Sequence, residues 1–307
     1  MISVIYIYYN SSDVIFNSID SVLKSDYKYG VEIIIVVNKC SDIPIEQLKY
    51  YSDKIIVIQN KENLGFGRAN NIGVQNSKGE FTLILNPDTI VKENVFSYLI
   101  NKMNEDSQIG LCTSKLINEL NQIQRTSIYK KYNLIYLFIE YFFINKIPII
   151  KYISKNYIYS SDDYNKNQFP EVISGAFILI RKKIYEKLGG FDEDFFMYGE
   201  DHNLCLRANK MTKIGYFPEV EVIHFGAHSL GNNPSEYKLG LMIDSLFLNN
   251  SKIFHPIKVF VFKILLLLNS VLFWPTSFFL SNSTHKKMLA IRSKLILKKI
   301  LFSKNGK

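Results

Sequence analysis

Four short segments, residues 2–9, 31–37, 54–58 and 81–85, constrain this chain more than any other feature, because each is almost uninterrupted in Ile, Val, Leu and aromatic side chains. Runs of this length read as strands, and runs that do not alternate with polar residues read as strands covered on both faces. The stretches between them carry helix-like spacing, which predicts βαβ units and a mostly parallel sheet flanked by helices. Asp13, ahead of Val14, Phe16, Ile19 and Val22, predicts an N-capped amphipathic helix after the first strand.

Ligands of an open α/β sheet bind beyond the carboxyl ends of its strands. That rule lines up Tyr9, Asn10, Val37, Asn38, Asn86 and Asp88 along one edge as a donor site. A less regular region follows from about residue 118 to 170, with an aromatic-rich segment at 134–153, and strand character resumes over 172–180. The expected organisation is a donor-binding half over 1–115, an acceptor-binding half over 116–234 and a helical extension over 235–307.

Charge is unevenly placed. The chain of 307 residues carries a net +9, yet every charged residue after Asp244 is Lys or Arg; these eleven leave the first 244 residues at a net −2. Residues 256–280 are strongly apolar but broken by Lys258, Lys263, Asn269 and Pro275, a poor pattern for a spanning helix and a better one for helices lying on a membrane surface. Within 289–301, Leu289, Ile296, Leu297, Ile300 and Leu301 share a helical face that Ile291 and Leu295 interrupt. Basic residues mixed with long aliphatic runs suit anionic lipid headgroups better than nucleic acid, so no nucleic-acid partner is expected. The same tail could instead form a homodimer interface or complete the core. Cys40, Cys112 and Cys205 are far apart and match no metal-ligand spacing, which fits a reducing cytoplasm.

Three clusters carry chemistry. The strand at 81–85 runs into Asn86-Pro87-Asp88-Thr89, placing a carboxylate where a hard divalent cation could neutralise a diphosphate; alone, the tetrapeptide reads better as an ordinary turn in which Asp88 bonds its own backbone. Upstream, Glu62 to Gly73 forms a glycine-punctuated loop opening a helix, in which Asn63, Gly65, Arg68 and Asn70 could approach a phosphate or sugar. Its spacing is neither the dinucleotide fingerprint nor the phosphate-binding loop of NTPases. The second cluster couples Ser174-Gly175-Ala176 with Gly189 to Asp201, where Glu200 or Asp201 at a helix start could accept a proton from an attacking hydroxyl, or simply complement the helix dipole. The third is His224, after an apolar run, which could complete a metal shell begun by Asp88; His228 is a weaker candidate.

In this order, Asn63 to Gly73, Asn86-Pro87-Asp88-Thr89, Gly189 to Asp201 and His224 resemble family 2 of the glycosyltransferases, in particular its rhamnosyltransferase-like branch, over about residues 2–230. The resemblance implies a GT-A fold, a Rossmann-like domain. It implies that Asp88 binds Mg²⁺ or Mn²⁺, with His224 as a metal or diphosphate contact, and that Asn86 touches the ribose or sugar of the donor. Tyr9 and Asn10 would hold the pyrimidine. Asp201 would be the catalytic base and Glu200 its support or a hold on the acceptor. Direct displacement would invert the anomeric centre. The implied reaction moves a sugar from a dTDP- or UDP-sugar to a hydroxyl of a glycan acceptor, lipid-linked, in cell-surface polysaccharide synthesis at the inner face of the membrane.

Two positions depart from the family pattern. Val37 stands where an Asp usually accepts the pyrimidine N3 proton, a task that Asn38 could assume through its side-chain oxygen. Asn203 replaces an acidic residue that usually supports Arg207. The rival readings are a catalytically degraded relative that binds a nucleotide or membrane partner without turnover, and a nucleotidyltransferase; the second needs a Gly-rich basic loop after the first strand, which Tyr8 to Ser12 does not provide.

Overall fold

The computed structural model describes all of the chain except residues 26–29, 41, 43–46, 49–50, 52–54, 142–151, 153, 227–235, 280–283 and 302–307. His228 therefore lies outside the described residues, as do parts of the segments 134–153 and 256–280.

The chain divides into two compact units. The first comprises Met1–Lys131, Ile158–Phe196 and Glu200–Gly231. Its strands are β1 (Ile2–Tyr8), β2 (Val31–Val37), β3 (Ile55–Gln59), β4 (Phe81–Leu85), β5 (Thr89–Val91), β6 (Ile109–Ile117), β7 (Ile128–Tyr129), β8 (Val172–Ile173), β9 (Phe177–Arg181) and β10 (Lys213–His224). Its helices are α1 (Ile15–Leu23), α2 (Gly65–Gln75), α3 (Val95–Glu105), then, after a helix of the second unit, α5 (Lys182–Lys187) and α6 (Glu200–Ala208). The second unit comprises Tyr132–Tyr157, Met197–Gly199 and Asn232–Lys307, with helices α4 (Leu134–Tyr141), α7 (Glu236–Ile253), α8 (Pro256–Phe279) and α9 (Thr284–Leu301).

Eight strands of the first unit form one sheet in the order β3-β2-β1-β4-β9-β6-β10-β5. The four apolar runs of the sequence supply its parallel half, with β1 between β2 and β4 and β3 beyond β2. All seven residues of β1 and all five of β4 are buried, as runs without alternation require. β9 then enters antiparallel between β4 and β6, and β10 runs parallel to β6. The strand expected over 172–180 is therefore two elements broken at residues 174–176, with β8 pairing instead with β7 in a separate two-stranded sheet.

This order decides where chemistry can sit. β1, β2, β4 and β10 all point their carboxyl ends to one edge, while β9 and β5 begin there. Asn10, Asn38, Asn86, Asp88, Gly175 and His224 are thus delivered to the same edge by topology alone.

α1 buries Ile19 and Val22, as expected, together with Ile15, which the expected stripe left out, while Phe16 is half-buried. Asp13 does not cap it: Val14 holds the cap position without a side-chain bond, and the first amides, Val14 N and Ile15 N, donate to the Ser11 carbonyl.

Within the second unit, α8 and α9 pack against each other, and α8 also meets α4 and α7. Leu295, which breaks the apolar stripe in sequence, is buried together with Ile296, whereas Leu301 is exposed. Lys299 pairs with Asp244, and an open cleft of about 480 Å³ is lined by residues of α7 and α9. Among the described residues, no helix is long and apolar enough to cross a membrane.

Candidate active site

The acidic turn is built by the end of β4. Asp88 is 4% exposed, and burial alone would push its carboxyl up; hydrogen bonding and charge from His224, with the Gly226 amide donating to Oδ2 at 3.1 Å, outweigh that and hold it below the usual carboxylate range. The Asp88 carbonyl accepts the Phe225 amide at 3.0 Å. β5 starts at Thr89 directly opposite His224, so pairing of β5 with β10 sets the two side chains beside each other.

Gln124 holds that histidine in place. Its Nε2 donates to the His224 carbonyl at 2.6 Å, leaving Oε1 at 2.8 Å from Nδ1. Nε2, on the other side of the ring, lies 3.5 Å from Asn86 Nδ2 and 3.4 Å from Asp88 Oδ1. A carboxylate oxygen and an imidazole nitrogen at this spacing fit adjacent positions around a divalent cation: bonds near 2.1 Å place such neighbours about 3 Å apart. Among the described residues there is no group of three or more His, Cys, Asp and Glu that could hold a metal. A pair suits a cation that draws its remaining ligands from phosphate and water.

The second acidic element reaches the same place by another route. Asn86 N donates to the Ala176 carbonyl at 3.0 Å, and Gly175 N donates to Asp201 Oδ2 at 2.9 Å. Adjacent residues at the break between β8 and β9 therefore tie the acidic turn after β4 to the start of α6. A side chain at position 175 would crowd Asp201 and Phe66, which accounts for glycine there. Asp201 Oδ1 also accepts the His202 amide at 2.8 Å.

Glu200 beside it is buried, and among the described residues its Oε2 has no hydrogen-bond partner. Burial first, and then the charge of Asp201, raise the Glu200 carboxyl far above its ordinary value, so Glu200 keeps its proton near neutral pH. The sign of the resulting pH dependence is fixed. The folded protein holds a proton that the unfolded chain releases above about pH 4.3, so this contribution to stability is complete below that pH and is lost as pH rises towards the folded value. Urea unfolding at pH 5 and pH 8 should show the wild type losing a few kcal/mol relative to Glu200→Gln across that interval.

The glycine-punctuated loop is held from both sides. Asn63 Oδ1 accepts the Gly65 amide at 3.0 Å. Gly65 has φ +79°, and a methyl group there would overlap the Phe196 carbonyl, which accepts the Phe66 amide at 3.0 Å. Tyr9 and Asn10 stand exposed after β1, Asn10 in the left-handed region at φ 48°.

Several sequence candidates also make bonds within the protein. Asn38 is buried; its Oδ1 already accepts Asn60 Nδ2 at 3.0 Å and the Leu64 amide at 3.3 Å, while Nδ2 donates to the Gly65 carbonyl at 3.1 Å. Its oxygen is spent on bracing the loop, not open to a pyrimidine. Asn70 is fully buried and donates to the Phe66 carbonyl at 3.0 Å, which sets it in the packing layer of α2. Arg68 is half exposed, with Nε donating to the Glu193 carbonyl at 2.9 Å. Asn203, far from leaving Arg207 unsupported, accepts its Nε at 2.8 Å; the guanidinium also donates to the carbonyls of Leu188 at 2.6 Å and Gly190 at 2.7 Å.

Two residues were not singled out from sequence. Gln124 is one, and Asn71 is the other. Asn71 Oδ1 accepts Tyr185 Oη at 2.6 Å and the Phe191 amide at 2.8 Å, while Nδ2 reaches the Phe191 carbonyl and Glu193 Oε1, both at 3.0 Å. Asn71→Ala leaves these buried partners unsatisfied and should cost about 3 kcal/mol in thermal unfolding. The sequence signal was an Asn on the inner face of a glycine-rich helix, a place where a side-chain amide needs a partner.

The family model described as glycosyl transferase family 2 matches residues 3–189. The chain belongs to glycosyl transferase family 2. This family 2 glycosyltransferase is 26% identical over 226 residues to an uncharacterized glycosyltransferase of Rickettsia typhi, covering 72% of this chain and 62% of the relative. It is 30% identical over 175 residues to rhamnosyltransferase WbbL of Escherichia coli, covering 53% of this chain and 62% of WbbL. It thus matches less than two thirds of the length of either relative. Among solved structures, mannosyltransferase PcManGT of Pyrobaculum calidifontis, in complex with GDP-Man and Mn²⁺, matches with a TM-score of 0.61 at 12% identity, over 99% of this chain and 88% of that one. That likeness carries the fold, a GT-A arrangement, and agrees with the expected class.

Proposed function

We propose that this glycosyltransferase moves a sugar from a dTDP- or UDP-sugar to a hydroxyl of a lipid-linked glycan, with inversion at the anomeric carbon, in cell-surface polysaccharide synthesis at the inner face of the membrane. The observation that supports the reading is the link through Gly175 and Ala176, which joins the turn at Asn86 to Thr89 and the Asp201 carboxylate at one sheet edge.

Asp88 and the Nε2 of His224 would hold Mg²⁺ or Mn²⁺, a choice in keeping with the Mn²⁺ named for PcManGT. Bound there, the cation would offset the charge that builds on the departing diphosphate. The chain's own residues do the rest. Gln124 holds the imidazole by Nδ1 and the backbone carbonyl, so that Nε2 is the ring atom turned towards Asp88. Tyr9 and Asn10 flank the nucleotide base at the end of β1. The loop braced by Asn38, Asn63 and Gly65 presents its backbone and Arg68 to the donor. Asp201, oriented by two backbone amides, removes the acceptor proton as the hydroxyl oxygen attacks. Glu200, uncharged beside it, lets the pair carry its negative charge on Asp201. A rhamnosyl donor is favoured by the similarity to WbbL.

The test is nucleoside-diphosphate release from a panel of nucleotide sugars, begun with dTDP-rhamnose and followed by NMR of the product anomer. Metal-dependent release with an inverted product is expected. Equal traces from wild type, Asp88→Ala and Asp201→Asn would instead indicate a relative that binds without turnover.

A further inference from the structure

The longest helix of the second unit, α8, carries a face that nothing in the described protein covers. Ile257, Phe260, Val261, Ile264, Leu268 and Val271 are each between 39% and 67% exposed. Their spacing of three, four and seven places all six within a strip about 100° wide, with no polar residue inside it. The opposite side of the helix is occupied: Val259, Phe262, Leu266 and Ser270 are buried. Isolated apolar residues on a surface are ordinary, whereas a continuous strip of six marks a contact.

We infer that this face of α8 lies in the headgroup region of an anionic bilayer, with the helix parallel to the membrane plane. Three observations choose the occupant. Lys258 and Lys263 flank the strip on either side, the position from which a long side chain reaches lipid phosphates while its helix sinks. No acidic residue follows Asp244, so all eleven formal charges beyond it have the sign that a negative surface attracts. No described helix is long and apolar enough to cross, which leaves the in-plane arrangement. A second copy of this chain fits less well, because pairing two α8 faces would bring both basic tails together.

The inference rests on the proposed lipid-linked acceptor for its purpose, yet its physical basis is independent of turnover. The test therefore reads docking and chemistry separately. Full-length wild type and the triple variant Phe260→Ser, Ile264→Asn, Leu268→Asn are floated with vesicles of phosphatidylcholine containing 30% phosphatidylglycerol, and with pure phosphatidylcholine. These side chains are exposed, so circular dichroism and the melting temperature should match wild type. Wild type should partition to the anionic vesicles, the variant at least ten-fold less, and donor hydrolysis without acceptor should be equal in both. Equal flotation of the two proteins overturns the inference, as does a wild type that ignores vesicles but is dimeric by light scattering while the variant is monomeric. Flotation without any nucleoside-diphosphate release would leave docking in place and remove the proposed reaction.

Discussion

Asp201→Asn should lower kcat by about 10³-fold with little change in donor affinity, because a general base contributes on the order of 10²–10⁴ and the amide cannot accept the proton. Both oxygens of Asp201 take backbone amides, from Gly175 and His202, so the wild-type group is already aimed. Asn supplies one oxygen for two donors, and one bond turns into an N–H facing an N–H, at a cost of about 1–3 kcal/mol in stability. Melting temperature and nucleotide binding must therefore be measured beside turnover. A protein that still folds and still binds donor, yet transfers at a thousandth of the rate, is the expected result. A loss confined to KM would assign Asp201 to acceptor binding instead.

Asp88→Ala should abolish metal-dependent turnover by a comparable factor, about 10²–10³, but by a different route. The buried carboxylate anchors the Gly226 amide and stands beside His224, so its removal would strip the proposed cation site of its acidic member while the Asn86 to Ala176 bond survives. Mn²⁺ binding read by electron paramagnetic resonance, with and without nucleoside diphosphate, should fall in step with activity. Retained Mn²⁺ affinity would mean that the cation sits elsewhere. The two variants are separable: Asp201→Asn keeps metal binding and Asp88→Ala does not.

The parallel half of the sheet was legible because buried strands leave a mark that needs no partner: β1 and β4 are apolar at almost every position. The ends of those strands then placed Asn86 and Asp88 by rule. What could not be read depends on distant pairings. Asn71 meets Phe191 and Glu193 across some 120 positions, and Gln124 meets His224 across 100; neither has a local pattern. The bonds of Asn38 were hidden for a related reason. An Asn after a strand looks the same whether its oxygen faces a ligand or, as here, Asn60 and Leu64. Asn203 shows the reverse error, in that losing a negative charge need not lose a hydrogen-bond acceptor.

The insertion of β9 between β4 and β6 also bears on synthesis. During translation β1 to β4 are made before β9, so the flank of β4 away from β1 lacks its hydrogen-bonding neighbour until residues 177–181 leave the ribosome. A bare strand edge of that kind invites pairing with other nascent chains, so the interval before β9 arrives is one in which aggregation competes with folding.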